Sequence, residues 1–198
     1  MQTAKIALVY HSAKGHTAQL ASFMADAMCG PQTIVHCLNV ETAALQMELL
    51  HEADCIVFGC PTYFGNVSAG FKHFMEATGR FWYRQCWKDK LAAGFTISST
   101  CSGDKLNTLQ SVFLFAAQHS MHWISLGVLP RFLNDQQTDG QNRLAGYIGL
   151  MAQCDNGSAV HPLHPGDALT AELFAQRIVN TTLHFKHINI KQNETTTN

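Results

Sequence analysis

The chain has 198 residues, 46% hydrophobic and 14% charged, enough for one domain with a full core. Thirteen basic and fourteen acidic side chains leave a net charge of −1, with no basic stripe for nucleic acid and no acidic run. The N-terminus lacks the pattern of a signal peptide and no stretch is apolar enough to span a bilayer, so a cytoplasmic protein without membrane contact is expected.

The first predicted element carries the most information. Residues 5–10 (KIALVY) read as a short buried strand, and a helix is predicted over 17–29, with Leu20, Met24, Ala27 and Met28 on one face. Between them lie His11, Ser12, Ala13, Lys14, Gly15 and His16. The pattern S-x-x-G-x-T, filled by Ser12, Gly15 and Thr17, sets two hydroxyls and a glycine at a helix N-terminus. Free N–H groups and the positive end of the helix dipole suit a phosphate there. An ordinary capped helix start would read the same way. Neither the G-x-G-x-x-G of a dinucleotide fold nor the G-K-[ST] of a nucleotide triphosphatase is present.

Strands follow at 33–38 and 54–59, with a helix at 43–52 between them. The second strand leads into Cys60-Pro61-Thr62-Tyr63-Phe64-Gly65-Asn66. That turn can offer backbone groups to the edge of a flat ring, and Tyr63 or Phe64 to its face; its aromatics would equally close a core. A helix at 68–79 precedes a strand at 91–98 and the loop Ser98-Ser99-Thr100-Cys101-Ser102-Gly103-Asp104, rich in small hydroxyls. A helix at 105–119 and a strand at 122–129 come next. Residues 130–146, with Asn134, Asp135, Asp139, Gly140 and Asn142, read as a long surface loop or insertion. The last helix is predicted over 167–184 with Asp167 as its N-cap. One domain spans 1–190, and the polar tail 191–198 is expected to be disordered.

Five short apolar strands separated by helices imply a parallel sheet covered on both faces. Such sheets bind ligands at the carboxyl ends of their strands. The three loops 12–17, 60–66 and 98–104 would then share one edge, and one flat, phosphorylated ligand accounts for all three. The seven cysteines, odd in number and without C-x-x-C pairing, are expected as buried reduced thiols. His161 and His164 are expected in a loop. No His/Cys cluster has ligand spacing, so no metal is expected.

Across residues 4–185 the sequence resembles the flavodoxin-like FMN proteins, most closely the branch of WrbA-type NAD(P)H:quinone oxidoreductases and NADPH-dependent FMN reductases. The resemblance rests on HSAKGHT (11–17), FGCPTYFGNVS (58–68), KLAAGFTISSTCSGDK (90–105), AAQHSM (116–121) and GYIGLMAQ (146–153). It implies a flavodoxin-like three-layer α/β sandwich, a five-stranded parallel sheet of order 2-1-3-4-5 between helices. By that match Ser12, Ala13, Lys14, Gly15, His16 and Thr17 hold the FMN phosphate. Pro61, Thr62, Tyr63, Phe64, Gly65 and Asn66 meet the isoalloxazine edge and ribityl chain. Ser98, Ser99, Thr100, Cys101, Ser102 and Gly103 line the far side. His119 matches a histidine beside the flavin, and Trp82 a tryptophan that closes a neighbouring subunit's site. Lys14 stands where WrbA-type proteins carry a tyrosine, and Tyr63 where they carry an arginine.

The resemblance implies an enzyme that takes electrons from NAD(P)H through FMN to a quinone-like acceptor, with His119 and Tyr63 as the groups that polarise or protonate the acceptor. A homodimer or homotetramer is expected. Two other readings stand beside it: a flavodoxin-type electron carrier, which a charge of −1 disfavours, and a flavin-free module on the same fold, which the intact Ser12, Gly15 and Thr17 disfavour.

Overall fold

The computed structural model describes residues 3–131, 140–155 and 162–196. Strand β1 (Ala4–Tyr10) is buried along nearly its whole length and runs into the loop before helix α1 (His16–Met28). Leu20, Ala21, Met24, Ala25 and Met28 recur at helical spacing and form its buried stripe. Strand β2 (Thr33–Asn39) lies at the sheet edge, with only Leu38 buried. The helix expected over 43–52 is instead two short ones, α2 (Val40–Leu45) and α3 (Met47–Glu52). The break falls at Gln46, whose N–H still bonds the Thr42 and Ala43 carbonyls while its own backbone leaves the helical region. Asn39 starts α2 by accepting the Thr42 N–H at 2.7 Å, a cap that periodicity does not report.

Strand β3 (Cys55–Tyr63) is the sheet's centre, and its first eight residues are buried. It turns into β4 (Asn66–Val67), a two-residue antiparallel return. Helices α4 (Ala69–Ala77) and α5 (Gly79–Tyr83) follow, then strand β5 (Leu91–Ser98) and helix α6 (Lys105–Gln118). The strand expected at 122–129 pairs only as β6 (His122–Trp123). Beyond it only Ile124 still donates its N–H to β5, at the Ala92 carbonyl, and the buried Leu126 packs in the core without pairing with β5. The rest of the fifth sheet position is filled by β7 (Leu150–Gln153), a segment outside the predicted strands. Helix α7 starts at Pro165 and runs to Thr196, well past the expected 184 and through residues expected to be a disordered tail.

The strand order is β2-β1-β3-β5-β6, with β7 also parallel to β5, which gives the expected 2-1-3-4-5 topology with its last strand shared by two segments. Two apolar layers cover the sheet. One packs α1 and α7 against Ile6, Leu8, Val57, Phe95 and Ile97. The other packs α2, α3, α4 and α6 against Ala7, Val9, Ile56 and Phe58, around the buried Trp87. Among the described residues no helix is long and apolar enough to cross a membrane.

Asn142, expected in a surface loop, is buried. Its amide donates to the Val128 and Gly146 carbonyls and its backbone N–H to Thr170 on α7. Asn134, Asp135, Asp139 and His161 lie outside the described residues.

Candidate functional site

Because β1, β3, β5 and β7 are mutually parallel, the segments after them meet at one edge of the sheet. The chain reverses its direction of travel between β1 and β3, where open α/β sheets form a crevice. A cleft there is lined by Ser12, Ala13, Lys14, His16 and Thr17, by Pro61, Thr62 and Tyr63, and by Ile97, Ser98 and Ser99. The three predicted loops do converge.

In the first loop Gly15 takes the N-cap at φ 92°, a left-handed conformation that glycine adopts without a Cβ clash. Ser12 Oγ accepts the Gly15 and Ala18 N–H groups, each at 3.2 Å, so the hydroxyl holds the helix start in place. The first turn of α1 carries no acidic side chain. His11 ties this loop to the next, its Nδ1 paired with Ser68 Oγ at 2.8 Å.

The second loop is a tight hairpin. Thr62 pairs with Val67 and Tyr63 with Asn66, leaving Phe64 (φ 48°) and Gly65 (φ 70°) as the central residues, the signature of a type I′ turn. Phenylalanine is a poor fit to a positive φ, yet its ring is fully exposed, one residue beyond Tyr63. Tyr63 lines the cleft, and burial together with the nearby Cys154 pushes its phenol above the ordinary value. Thr62 turns its hydroxyl inward, into bonds with Thr96 and Thr108 at 2.8 and 2.9 Å, and locks β3 to β5 and α6. Asn66 faces α6, where its Oδ1 accepts Ser111 Oγ.

In the third loop Ser98 and Ser99 face the cleft, and Ser98 Oγ is buried without a hydrogen-bond partner. A buried, unpaired hydroxyl at a cleft wall is a group waiting for a ligand. Thr100 and Cys101 have their carbonyls bound by Lys105 Nζ. Cys101 and Ser102 line the neighbouring groove rather than the cleft. Gly103 takes φ 54°, and a side chain there would strike Thr100 Oγ1 and Ser98 Oγ.

His119 lies away from the cleft of its own protomer. Helix α6 starts at the site and spans about 20 Å before His119, which lies beside Trp87 at the opposite edge of the sheet. The ring is 1% exposed, stacks on Trp87 at 4.4 Å and bonds Thr78 Oγ1 at 3.1 Å. Burial drives its pKa down to about 4, so the ring is neutral at pH 7, and it lines no part of the cleft in its own protomer. Trp82, on α5, lines no part of the cleft in its own protomer and is half exposed.

Several residues at the site were not predicted. Cys154 and Asp155 leave β7 and close the fourth wall. Arg143 and Asp167 form a buried bidentate pair at 2.8 and 2.9 Å, so Asp167 is a buried counter-ion in the first turn of α7 rather than its N-cap. Asp167 also accepts the Gln153 N–H, and Gln153 Nε2 donates to the Ser99 carbonyl, carrying the pair's order into the third loop. The missed strand β7 hid all of these, since only its pairing brings Arg143, Cys154, Asp155 and Asp167 to the cleft. Among the described residues no cluster of His, Cys, Asp or Glu fits a metal ion.

The donor set fits a phosphorylated flavin: hydroxyls and helix N–H groups at one end, a slot between Tyr63 and Ser98 at the other, and one unpaired hydroxyl facing it. Comparison with known proteins agrees. Residues 2–131 match the NADPH-dependent FMN reductase family. Flavodoxin FldP of Pseudomonas aeruginosa is 35% identical over 175 residues, 88% of this chain and 94% of that protein. An NAD(P)H dehydrogenase (quinone) of Archaeoglobus fulgidus is 32% identical over 146 residues, 62% of this chain and 76% of that one. A solved flavodoxin, WrbA-like protein from Agrobacterium tumefaciens is 33% identical, with a TM-score of 0.71 over 92% of this chain and 99% of that one.

Proposed function

The chain belongs to the NADPH-dependent FMN reductase family, and we propose that it passes electrons from NAD(P)H through FMN to a quinone-like acceptor. It is an FMN oxidoreductase with NAD(P)H as its donor. The observation that carries the reading of the site is the single cleft shared by Ser12–Thr17, Pro61–Tyr63 and Ile97–Ser99. The quinone-like acceptor is supported by the relative named NAD(P)H dehydrogenase (quinone).

FMN supplies the two-electron chemistry, and the protein supplies position and field. In this reading Ser12, Gly15 and Thr17 take the phosphate, helped by the α1 dipole and by Lys14 at the rim. Ser98 Oγ donates to the flavin edge and loses its unpaired state. Tyr63, a phenol that keeps its proton at neutral pH, offers Oη as a donor to an acceptor oxygen. Phe64 shields the outer face from water. Trp82, half exposed, would close the site of a second copy in a homodimer or homotetramer. Free thiols, three of them exposed at Cys29, Cys37 and Cys101, support work in the reducing cytoplasm.

Flavodoxin is the printed name of the 35% identical relative, which supports a carrier as the second reading. The test is anaerobic mixing of the FMN-loaded protein with NADPH or NADH, then with a benzoquinone. Rapid NAD(P)H oxidation followed by stoichiometric quinone reduction is expected. Donor oxidation no faster than with free FMN would favour the carrier.

A further inference from the structure

A second cavity, of about 290 Å³, adjoins the flavin cleft. It is larger than the space the cleft encloses, about 120 Å³, and near the lower end of small-molecule sites, about 300 Å³. His16, Cys154 and Asp155 line both, so the two spaces are continuous. His16 is the first residue of α1; Thr17 after it lines the cleft, and Gln19 lines the second cavity. A phosphate held by Ser12, Gly15 and Thr17 therefore stands at the opening between them. A flavin that ended at that phosphate would leave the larger space unfilled.

The walls carry the groups that an adenylate needs. Arg143 gives hydrogens from Nε, Nη1 and Nη2 to Asp167 and Gln153. Its other Nη hydrogens are donors for a phosphate oxygen. His164 starts α7: its carbonyl accepts the Asp167 and Ala168 N–H groups, and its Nδ1 the Gly166 N–H at 3.1 Å. With Nδ1 an acceptor, the neutral ring holds its proton on Nε2, the donor it brings to the cavity. The Gln19 amide offers a donor beside an acceptor, the pair that matches the amino and ring-nitrogen edge of adenine. Pro162 and Leu163 give apolar contact for the faces of a base. Asp155, an exposed carboxylate on the shared wall, suits the hydroxyls of a ribose and repels a 2′-phosphate. The charged linings, Arg143 and Asp155, are one of each sign, so hydrogen bonding rather than net charge selects the occupant.

We propose that this cavity is an adenylate subsite, which takes the AMP end of FAD while the FMN half lies in the cleft. The inference rests on the FMN reading of the cleft and widens the flavins this chain holds from FMN to FAD. NADH carries the same adenylate. The cavity opens behind the flavin phosphate and away from the ring slot between Tyr63 and Ser98, which favours FAD as the source.

The test is calorimetric titration of the apo-protein with FMN and with FAD, and of each loaded form with AMP. FAD should bind at least as tightly as FMN, although its phosphate diester brings one negative charge fewer to the α1 N-terminus. AMP should bind the FMN-loaded protein and not the FAD-loaded one. His164→Asn keeps a side-chain acceptor at the start of α7 and removes the imidazole. It should lower FAD affinity about tenfold and leave FMN within about twofold of native. FAD binding weaker than FMN, an equal effect of His164→Asn on the two flavins, or AMP binding undiminished by bound FAD would overturn the proposal. A raised KM for NADH in His164→Asn would in that case assign the adenylate to the nicotinamide donor. Should His164→Asn not fold, the AMP competition in the native protein decides. Failure of the native protein to bind FMN would remove the cleft reading as well.

Discussion

Gly15 holds a left-handed backbone at the point where α1 meets the cleft. Asparagine and aspartate tolerate that conformation about equally, and only aspartate adds charge. Gly15→Asn should therefore retain most FMN binding and Gly15→Asp should lose it, by about a hundredfold or more, to repulsion between carboxylate and phosphate. Equal affinities in a fluorescence titration would take the phosphate away from this loop. His119 makes the opposite case, a residue whose sequence match pointed to the site and whose surroundings do not. Its pKa falls from 6.5 to about 4 in the folded state. The unfolded chain then binds the extra proton between those values, so the stability His119 contributes is present above pH 6.5 and lost as pH falls toward 4. The loss amounts to about 3 kcal/mol. Urea midpoints at pH 7 and pH 4.5 should differ less in His119→Gln than in the native protein. FMN affinity and quinone turnover should be unaltered by that substitution; a large fall in turnover with intact FMN binding would return His119 to the site.

At the scale of elements, the 63–66 hairpin trades stability for exposure. A type I′ turn prefers Asn-Gly, and Phe64-Gly65 puts an aromatic ring at φ 48° with no packing to reward it. Phe64→Asn should raise stability by about 1 kcal/mol and slow acceptor reduction. A lower melting temperature with unchanged turnover would show that the ring has a structural role. The strands β1, β3 and β5 were legible because each is a continuous apolar run in a sheet covered on both faces. Their loops were legible with them, and so were most residues of the cleft. Strand β7 was not, because four residues, LMAQ, make too short a pattern and their register is set by β5. The break at Gln46 was also silent, since both halves of 40–52 keep helical spacing. His119 shows the limit of a matched motif: it fixes a place in the chain, while the length of α6 decides which edge of the sheet that place reaches.

For the molecule as a whole, Asn142 and Arg143 are bound to α7 by a few buried polar contacts. Arg143 and Asp167 are the centre of these, with side chains 11% and 2% exposed. Removing one member leaves the other charged and unpaired, a loss of about 3 to 5 kcal/mol. Asp167→Asn should lower stability by that amount and also weaken FMN binding, because Gln153 and the Ser99 carbonyl lose their anchor. Destabilisation with native FMN affinity would separate the anchor from the site. Topology and family could be read from the sequence; how the third loop is held from behind could not, since Arg143, Gln153 and Asp167 meet only through the missed strand.

The most direct measurement is a fluorescence titration of the apo-protein with FMN, with riboflavin in parallel. The cleft described here predicts saturable binding of FMN about a hundredfold tighter than that of riboflavin, because the phosphate is held by Ser12, Thr17 and the α1 N-terminus. Equal affinities for the two flavins would contradict it.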